Sequence, residues 1–443
     1  MTPQRAAELL AQGRLVALPT ETVYGLAARA DDDAAVAQIY AAKGRPADHP
    51  LIVHVADAVA ARFFCGELPL LARRLIDACW PGPLTVIVPR RAGVADAAAA
   101  HQATIGLRCP DHPLFHEVLA LAQAQGVPGL AAPSANRFGR VSPTTAAHVQ
   151  QEFGDALAVL DGGACSVGIE STIVDCTGAH PVLLRPGQWD TEALERVLGE
   201  PLLAPGASAP KAPGTLAAHY APRARLKLFS RDALLRALGE PTLPPALAVY
   251  SRAPLPVLPV RWAQMAAQPE MAAQALFATL RLLDDEGVQE IWVEAPPAND
   301  PRWAGVLDRL QRAAHATPQQ TCPPGARVHE VQPPPSRRRP GARLSCCLWG
   351  RRHNGRPLCA QAPDCFRRRA KSSDPRRQAV RRQRSSNSER REHCRLLGQP
   401  DLDPNGGLGL RPGFGSLQQL SPPREQPAIR TAGRQGVRRA RTD

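Results

Sequence analysis

The hydrophobic positions of this chain fall in short runs broken by polar loops, and the first run sets the pattern. Leu15-Val16-Ala17-Leu18 is closed by Pro19, which predicts a buried strand delivering the polar stretch Thr20-Glu21-Thr22-Val23-Tyr24-Gly25-Leu26 to a sheet edge. Asp32 is a helix N-cap, and Val36, Ile39 and Tyr40 give a helix over residues 33–42 its apolar side, so that Lys43 and Arg45 emerge where it stops. Leu51-Ile52-Val53-His54-Val55 predicts another strand, with His54 set inside an apolar run. On spacing alone two readings stay open: a satisfied core histidine beside a solvated basic turn, or a polar site fed by two loops.

Further strands are predicted at 85–88, 105–108, 129–132, 172–175 and 182–184, with helices at 70–78, 113–122 and 143–153. The last helix opens Ser142-Pro143-Thr144, read as a serine cap with proline in the first turn, whose free N–H groups can receive an anion. Residues 1–200 thus read as one α/β domain. Residues 201–222 are rich in Pro, Ala and Gly and read as a linker. A smaller α/β domain follows over 223–316, with strands at 226–229, 247–250 and 290–293 and helices at 271–285 and 303–314.

Charge divides the chain more sharply than hydropathy does. Of 54 Lys and Arg and 40 Asp and Glu, 27 and 9 lie beyond residue 316, so the first 316 residues carry −4 and the remaining 127 carry +18. That tail is rich in Arg, Pro, Ser, Gln and Gly and lacks the apolar surface needed to offset chain entropy, which predicts disorder. Two origins stay open for it: a basic extension able to grip RNA phosphates, or an out-of-frame reading of GC-rich coding sequence. Cys65, Cys79, Cys109, Cys165 and Cys176 form no CxxC pair and read as buried thiols of a reducing compartment. A zinc site on Cys346, Cys347, Cys359 and Cys365 lacks the usual close ligand pairs. No apolar run reaches the ~20 residues of a membrane span, and no leader peptide is evident, so the expected location is the cytoplasm.

Neither GxxxxGK[ST], nor a GxGxxG opening a helix, nor HExxH occurs. Instead Lys43, Arg45, Arg108 and Arg185 end strands or turns, and Ser134, Asn136, Ser142, Ser171 and Thr172 stand at strand ends or turn starts. Several charge-assisted hydrogen bonds of about 1.5–3 kcal/mol each suffice to hold a polyphosphate.

Seven motifs in order, PTETVYGL, AKGRP with PLIVH, PGPLT, the strand Thr104 to Arg108, PSANRFGRVSPT, IESTIVD and LRPG, resemble YrdC-type proteins. With Ala212-Pro213-Gly214-Thr215 through His219-Tyr220-Ala221-Pro222 and the second domain, residues 2–316 are similar to the two-domain threonylcarbamoyl-AMP synthases. The resemblance implies a YrdC-like twisted mixed sheet with flanking helices, followed by a Rossmann-like α/β domain. It implies a nucleotidyltransferase that makes threonylcarbamoyl-AMP and pyrophosphate from L-threonine, bicarbonate and ATP, with Mg2+ accompanying the nucleotide. The adenylate then feeds a tRNA-modifying threonylcarbamoyl transferase complex. Carried over by motif, Thr22, His54, Arg108 and Ser171 hold threonine, while Lys43, Arg45, His49, Thr104, Ser134, Asn136, Ser142, Arg185 and Tyr220 surround ATP, with Lys43, Arg45 and Arg108 closest to the chemistry and no protein-held metal. Tyr220 then belongs to a lid that keeps water from labile intermediates.

His49 departs from the family's usual asparagine, and the 127-residue tail departs from its usual length. Two other classes remain expressible. A noncatalytic YrdC-type RNA-binding protein is disfavoured by the acidic balance of residues 1–316. A carbamoyl-phosphate-dependent maturation enzyme would carry acylphosphatase and zinc-finger modules ahead of this domain.

Overall fold

The computed structural model describes residues 1–254 and 260–316. Within the first domain, helix α1 (Pro3–Ala11) leads to strands β1 (Val16–Leu18) and β2 (Gly25–Arg29), then α2 (Asp33–Lys43) and β3 (Ile52–His54). Helices α3 (Ala58–Cys65) and α4 (Leu70–Cys79), strands β4 (Leu84–Pro89) and β5 (Thr104–Arg108), helix α5 (Pro113–Gln123) and strand β6 (Leu130–Ala131) follow. Helix α6 (Ala146–Phe153), strands β7 (Ala158–Val159), β8 (Thr172–Asp175) and β9 (Val182–Arg185), and helix α7 (Thr191–Leu198) complete it. These strands form one sheet of order β7-β1-β2-β6-β3-β5-β4-β8-β9, mixed because β1–β7, β3–β5 and β4–β8 are parallel and the other pairs antiparallel.

Period-2 alternation divides the side chains of this sheet between two cores. Ala17 faces a core with α2, α3, α4 and α7, whereas Val16 and Leu18 face α1 and α5. On part of the sheet no helix takes that second role. Ile52, Ile87 and Ile173 from β3, β4 and β8 pack instead with Ala212 of the linker, so a segment without regular structure covers that face. No helix or strand lies between Leu198 and Arg225.

The second domain contains β10 (Arg225–Phe229), α8 (Arg231–Leu238), β11 (Leu247–Ser251), β12 (Arg261–Gln264), α9 (Pro269–Asp285), β13 (Glu290–Glu294) and α10 (Ala304–His315). Its sheet, ordered β10-β13-β11-β12, is parallel throughout. Leu247 and Val249 face α8, and Ala248 and Tyr250 face α9 and α10, giving the three layers expected of a Rossmann-like unit. The α9/α10 core also takes in Val23, Val141, Val167, Ile169 and Tyr220, so the two domains share apolar packing.

Most predicted elements are present with ends shifted by a few residues, and α2 is capped as expected by Asp32, whose carboxylate accepts from the N–H groups of Ala34 and Ala35. The helix expected over 143–153 is shorter: it starts at Ala146 under a Thr145 cap. Ser142 caps nothing, because its hydroxyl is bound to Glu170, and the carbonyls of Pro143 and Thr144 accept from Tyr24 and Cys165 at 2.9 and 3.0 Å. Long-range pairing thus holds 142–145 extended. Helices α1, α3, α7 and α8 and strands β2, β7 and β12 add to the predicted set, β2 beginning inside the stretch expected as a polar loop. The five cysteines of the first domain are free, buried thiols, as expected. The expectations for residues 317–443 lie outside the described residues.

Candidate functional site

A cleft opens where β3, β5, the loop before β8 and the end of β9 meet the linker. Arg45 and Arg185 line it, Lys43 stands behind Ser134 at its edge, and all three are buried, against the reading of a solvated basic turn. Their partners are neutral oxygens. Lys43 donates to the carbonyls of Ser134 and Asn136 at 2.7 and 2.6 Å. Arg45 donates to His49 O and Pro50 O at 3.2 and 2.9 Å. Arg185 donates to Ser171 O, Ser171 Oγ and Pro213 O at 3.0, 3.1 and 2.9 Å. Burial, reinforced by the neighbouring Arg45 charge, brings the Lys43 ammonium down to about 7, and burial brings Arg45 down to about 10. Burial likewise lowers Arg185. Cations gathered here with no carboxylate paired directly to any of the three create a positive field, which is the condition for binding a polyanion.

Arg108, at the end of β5, makes the second corner of the site. Its Nη1 donates to Thr22 Oγ1 at 2.9 Å, and Nη2 lies 2.6 Å from Glu21 Oε1. That close approach is a charge pairing rather than a directed hydrogen bond, since Nη2 and both Glu21 oxygens lack an aligned partner. His54 lines the same corner, its ring 5.4 Å from Phe115, and burial followed by the Arg108 charge depresses it to about 3. It is therefore a neutral imidazole with a buried, unpartnered Nδ1. Ser171 shares its hydroxyl with Thr85 at 2.8 Å.

The linker closes the third side through Pro213, Gly214, His219 and Tyr220. Tyr220 is fully buried with φ +61°, a left-handed conformation that costs a non-glycine residue about 1–3 kcal/mol. Its ring is held by Phe277 (5.5 Å), His219 (4.2 Å) and the Arg309 guanidinium (5.4 Å), and burial pushes its hydroxyl up to about 12. Gly214, at φ +73°, leaves room for that hydroxyl, with which a Cβ would collide. Burial and then Arg45, Lys43, Arg185 and Arg309 keep the His219 imidazole well below its usual range and uncharged.

Other predicted residues stand one layer back. Ser134 lines the cleft, while Asn136 sits behind it with Nδ2 on the carbonyls of Arg137 and Arg140 and a buried, unpartnered Oδ1. Ser142 touches the cleft only through Glu170. His49 is half-buried, edge-on to Phe138 at 5.5 Å, and burial together with Arg45 lowers it. Thr104 begins β5, at the opposite end of that strand from Arg108, and is not part of the cleft wall.

Residues 8–187 match the protein family described as "Telomere recombination" (Sua5_yciO_yrdC), and residues 190–315 match "Threonylcarbamoyl-AMP synthase, C-terminal domain". The threonylcarbamoyl-AMP synthase of Bacillus subtilis is 38% identical over 328 residues, spanning 70% of this chain and 92% of that protein. The chain belongs to the threonylcarbamoyl-AMP synthase family. The family member from Pyrococcus abyssi is 41% identical over 243 residues, 53% of this chain and 70% of its own. The crystal structure of P. abyssi Sua5 complexed with L-threonine superposes with TM-score 0.64 at 33% identity, covering 70% of this chain and 94% of that one. A structure of the same protein with a neighbouring His and Tyr replaced by Ala gives TM-score 0.62.

Sequence reasoning named neither carboxylate of this synthase-family site. Glu21 and Glu170 sit inside the quoted PTETVYGL and IESTIVD motifs, but their arginine partners lie far along the chain. Arg309, on α10, donates to Glu170 Oε2 at 3.0 Å, to Glu170 O at 3.1 Å and to Pro186 O at 2.6 Å. The signal open to inspection was an arginine on the apolar side of a helix, three residues after Val306 and next to Leu310.

Proposed function

We propose that this enzyme is a nucleotidyltransferase that joins L-threonine, bicarbonate and ATP into threonylcarbamoyl-AMP, releasing pyrophosphate and water. Beyond family membership, the observation that carries this reading is the trio Lys43, Arg45 and Arg185, buried together and compensated by neutral oxygens alone. Such a trio suits a triphosphate and has little use otherwise. Threonine takes the Arg108 corner, with Thr22, His54 and Ser171 around it and its carboxylate displacing Glu21 as the partner of Arg108. The nucleotide takes the cationic side, with Ser134, Asn136 and Ser142 near its phosphates, His49 and Thr104 outside the first contacts, and Tyr220 above. The lid assignment is supported by the Ala-substituted His-Tyr pair of the P. abyssi relative, since His219-Tyr220 is the one adjacent His-Tyr pair in this chain.

Bicarbonate takes up a proton to give CO2 and water. The lone pair of the threonine amine forms a C–N bond to CO2 as one C–O π pair moves onto oxygen, the nitrogen gives up a proton that matches the one bicarbonate took, and a carbamate oxygen then attacks the α-phosphorus in line. The bond from that phosphorus to the bridging oxygen breaks, and pyrophosphate leaves with the electron pair. A buried imidazole with so low a proton affinity as His54 is a poor general base, so its task is orientation, and catalysis rests on positioning and charge. The cleft carboxylates do not fit a protein-held metal ion. Glu21 and Glu170 are both turned to arginines, and among the described residues no cluster of three or more His, Cys, Asp or Glu is placed for coordination. Mg2+ enters on the phosphate oxygens as part of the nucleotide substrate, and no step here depends on a protein ligand to it. The labile product calls for a downstream acyl transfer to an adenosine amine of tRNA, by a separate transferase complex. Among the described residues no helix is long and apolar enough to cross a membrane.

The test is pyrophosphate release by the full chain with threonine and bicarbonate each supplied or withheld, with the adenylate identified by mass. Release that requires both, with threonylcarbamoyl-AMP accumulating, is expected. Release indifferent to threonine sinks the assignment, and nucleotide binding without release returns the noncatalytic class.

A further inference from the structure

Arg309 is the largest fully buried side chain of the described residues, and it comes from the last helix of the second domain into the wall of a cleft built by the first. Its guanidinium reaches two residues that line the cleft, Glu170 and Tyr220, and a third that stands behind them. It pairs with Glu170 at 3.0 Å, donates to the carbonyl of Pro186 beside Arg185, and lies over the ring of Tyr220 at 5.4 Å. Burial alone would lower its proton affinity, yet Tyr220, Glu170 and Asp308 together raise it, so the cation is fixed. The approach of its helix is close: a Cβ on Gly305 would lie 2.6 Å from Gly187 O. One turn further along, Arg309 is therefore delivered at fixed depth.

Resting on the synthase reading above, we infer that Arg309 is a positioning residue for the nucleotide lid, through which the C-terminal domain acts on catalysis. Two physical effects follow from its contacts. Pairing with Arg309, and with the Ser142 hydroxyl, neutralises Glu170, a carboxylate in the cleft wall that otherwise repels an incoming triphosphate. The same guanidinium supports the face of Tyr220, a residue in a left-handed conformation that relaxes once its ring is unsupported. Arg309 does not touch the threonine corner, so its contribution falls on the nucleotide.

The experiment uses the full chain with Arg309→Lys, Arg309→Met and the double variant Glu170→Gln/Arg309→Met, each first shown to be folded by thermal melting. Hydrogen exchange over residues 212–221 is followed with and without a nonhydrolysable ATP analogue, alongside KM values for ATP and threonine. In the natural chain the analogue slows exchange in this segment. Arg309→Lys, which keeps the charge and loses the planar fork, is expected to lose most of that protection and to raise KM for ATP about tenfold with KM for threonine unchanged. The double variant, having no buried unpaired carboxylate, is expected to recover nucleotide affinity relative to Arg309→Met without recovering lid protection. Folded Arg309→Lys with natural lid protection and natural KM for ATP overturns the inference, as does an equal rise in both KM values. If the natural chain binds nucleotide but releases no pyrophosphate, the synthase reading fails by itself, and the exchange data still decide the role of Arg309.

Discussion

Lys43 carries the sharpest consequence at the scale of a single residue. Its ammonium is held near 7 by burial, so at pH 8 the free enzyme holds it mostly neutral, while in an unfolded chain it is charged up to 10.5. The unfolded state therefore binds the extra proton between about pH 7 and 10.5, and the stability contributed by this residue rises with pH across that window. A triphosphate placed beside Lys43 restores the charge. Nucleotide binding at pH 8 is accordingly expected to take up a proton, and at pH 6 to take up little. Calorimetry in buffers of differing ionisation enthalpy measures this directly, and Lys43→Arg, which stays charged at both pH values, is expected to abolish the difference. The chemical identity of Lys43 and Arg45 was legible from the turn they occupy, but their burial was not, because the covering groups come from residues 134–138.

At the scale of elements, the cleft depends on segments that have little regular structure. Gly214→Ala places a methyl group against the Tyr220 hydroxyl and 2.9 Å from Arg185 Nη1, in a backbone conformation that alanine tolerates poorly. The linker cannot then seat. Nucleotide affinity is expected to drop by tenfold or more with a smaller loss of melting temperature, because the linker enters the second-domain core through Tyr220 and the small cluster under the sheet through Ala212. Equilibrium binding and a melting curve together check it; an unchanged affinity removes the linker from the nucleotide site. Legibility follows contact range at this scale too. Helix α2 was readable because Asp32 caps it from within two and three residues, whereas the start of α6 was misread because Ser142 spends its hydroxyl on Glu170, 28 residues away. The strands of the second domain read well, being apolar runs of a parallel sheet.

Over the whole molecule the two domains act as one body around the cleft. Arg281 of α9 donates to the carbonyls of Val141 and Ser142 and pairs with Glu152 at 2.9 Å, while Asp284 accepts from the N–H groups of Arg223 and Ala224 just past the linker. The second domain thus grips both the loop behind the phosphates and the exit of the linker. Both family matches fall within residues 8–315, so a chain ending at Ala316 is expected to release pyrophosphate at the rate of the full chain. Binding of tRNA by the two forms at 50 and 200 mM salt separates the roles: if the +18 tail grips phosphates, affinity and its salt slope fall together on truncation while turnover stays. A loss of turnover in the shortened, folded chain would assign the tail a catalytic part. The alternation of helices and strands was legible because it follows from local periodicity, while the sheet types came only with the family resemblance; the grip of Arg281 on the first domain was not legible, because it joins groups more than 120 residues apart.

The pairing of Glu170 with Arg309 also bears on how the enzyme comes into being. The two residues are separated by 139 positions, and synthesis runs from the N-terminus. All nine strands of the first sheet precede α10 in the chain, so they leave the ribosome before the residue that pairs with Glu170 does. Helix α10 supplies the counter-charge of Glu170, so the cleft wall is complete only after that helix has been made.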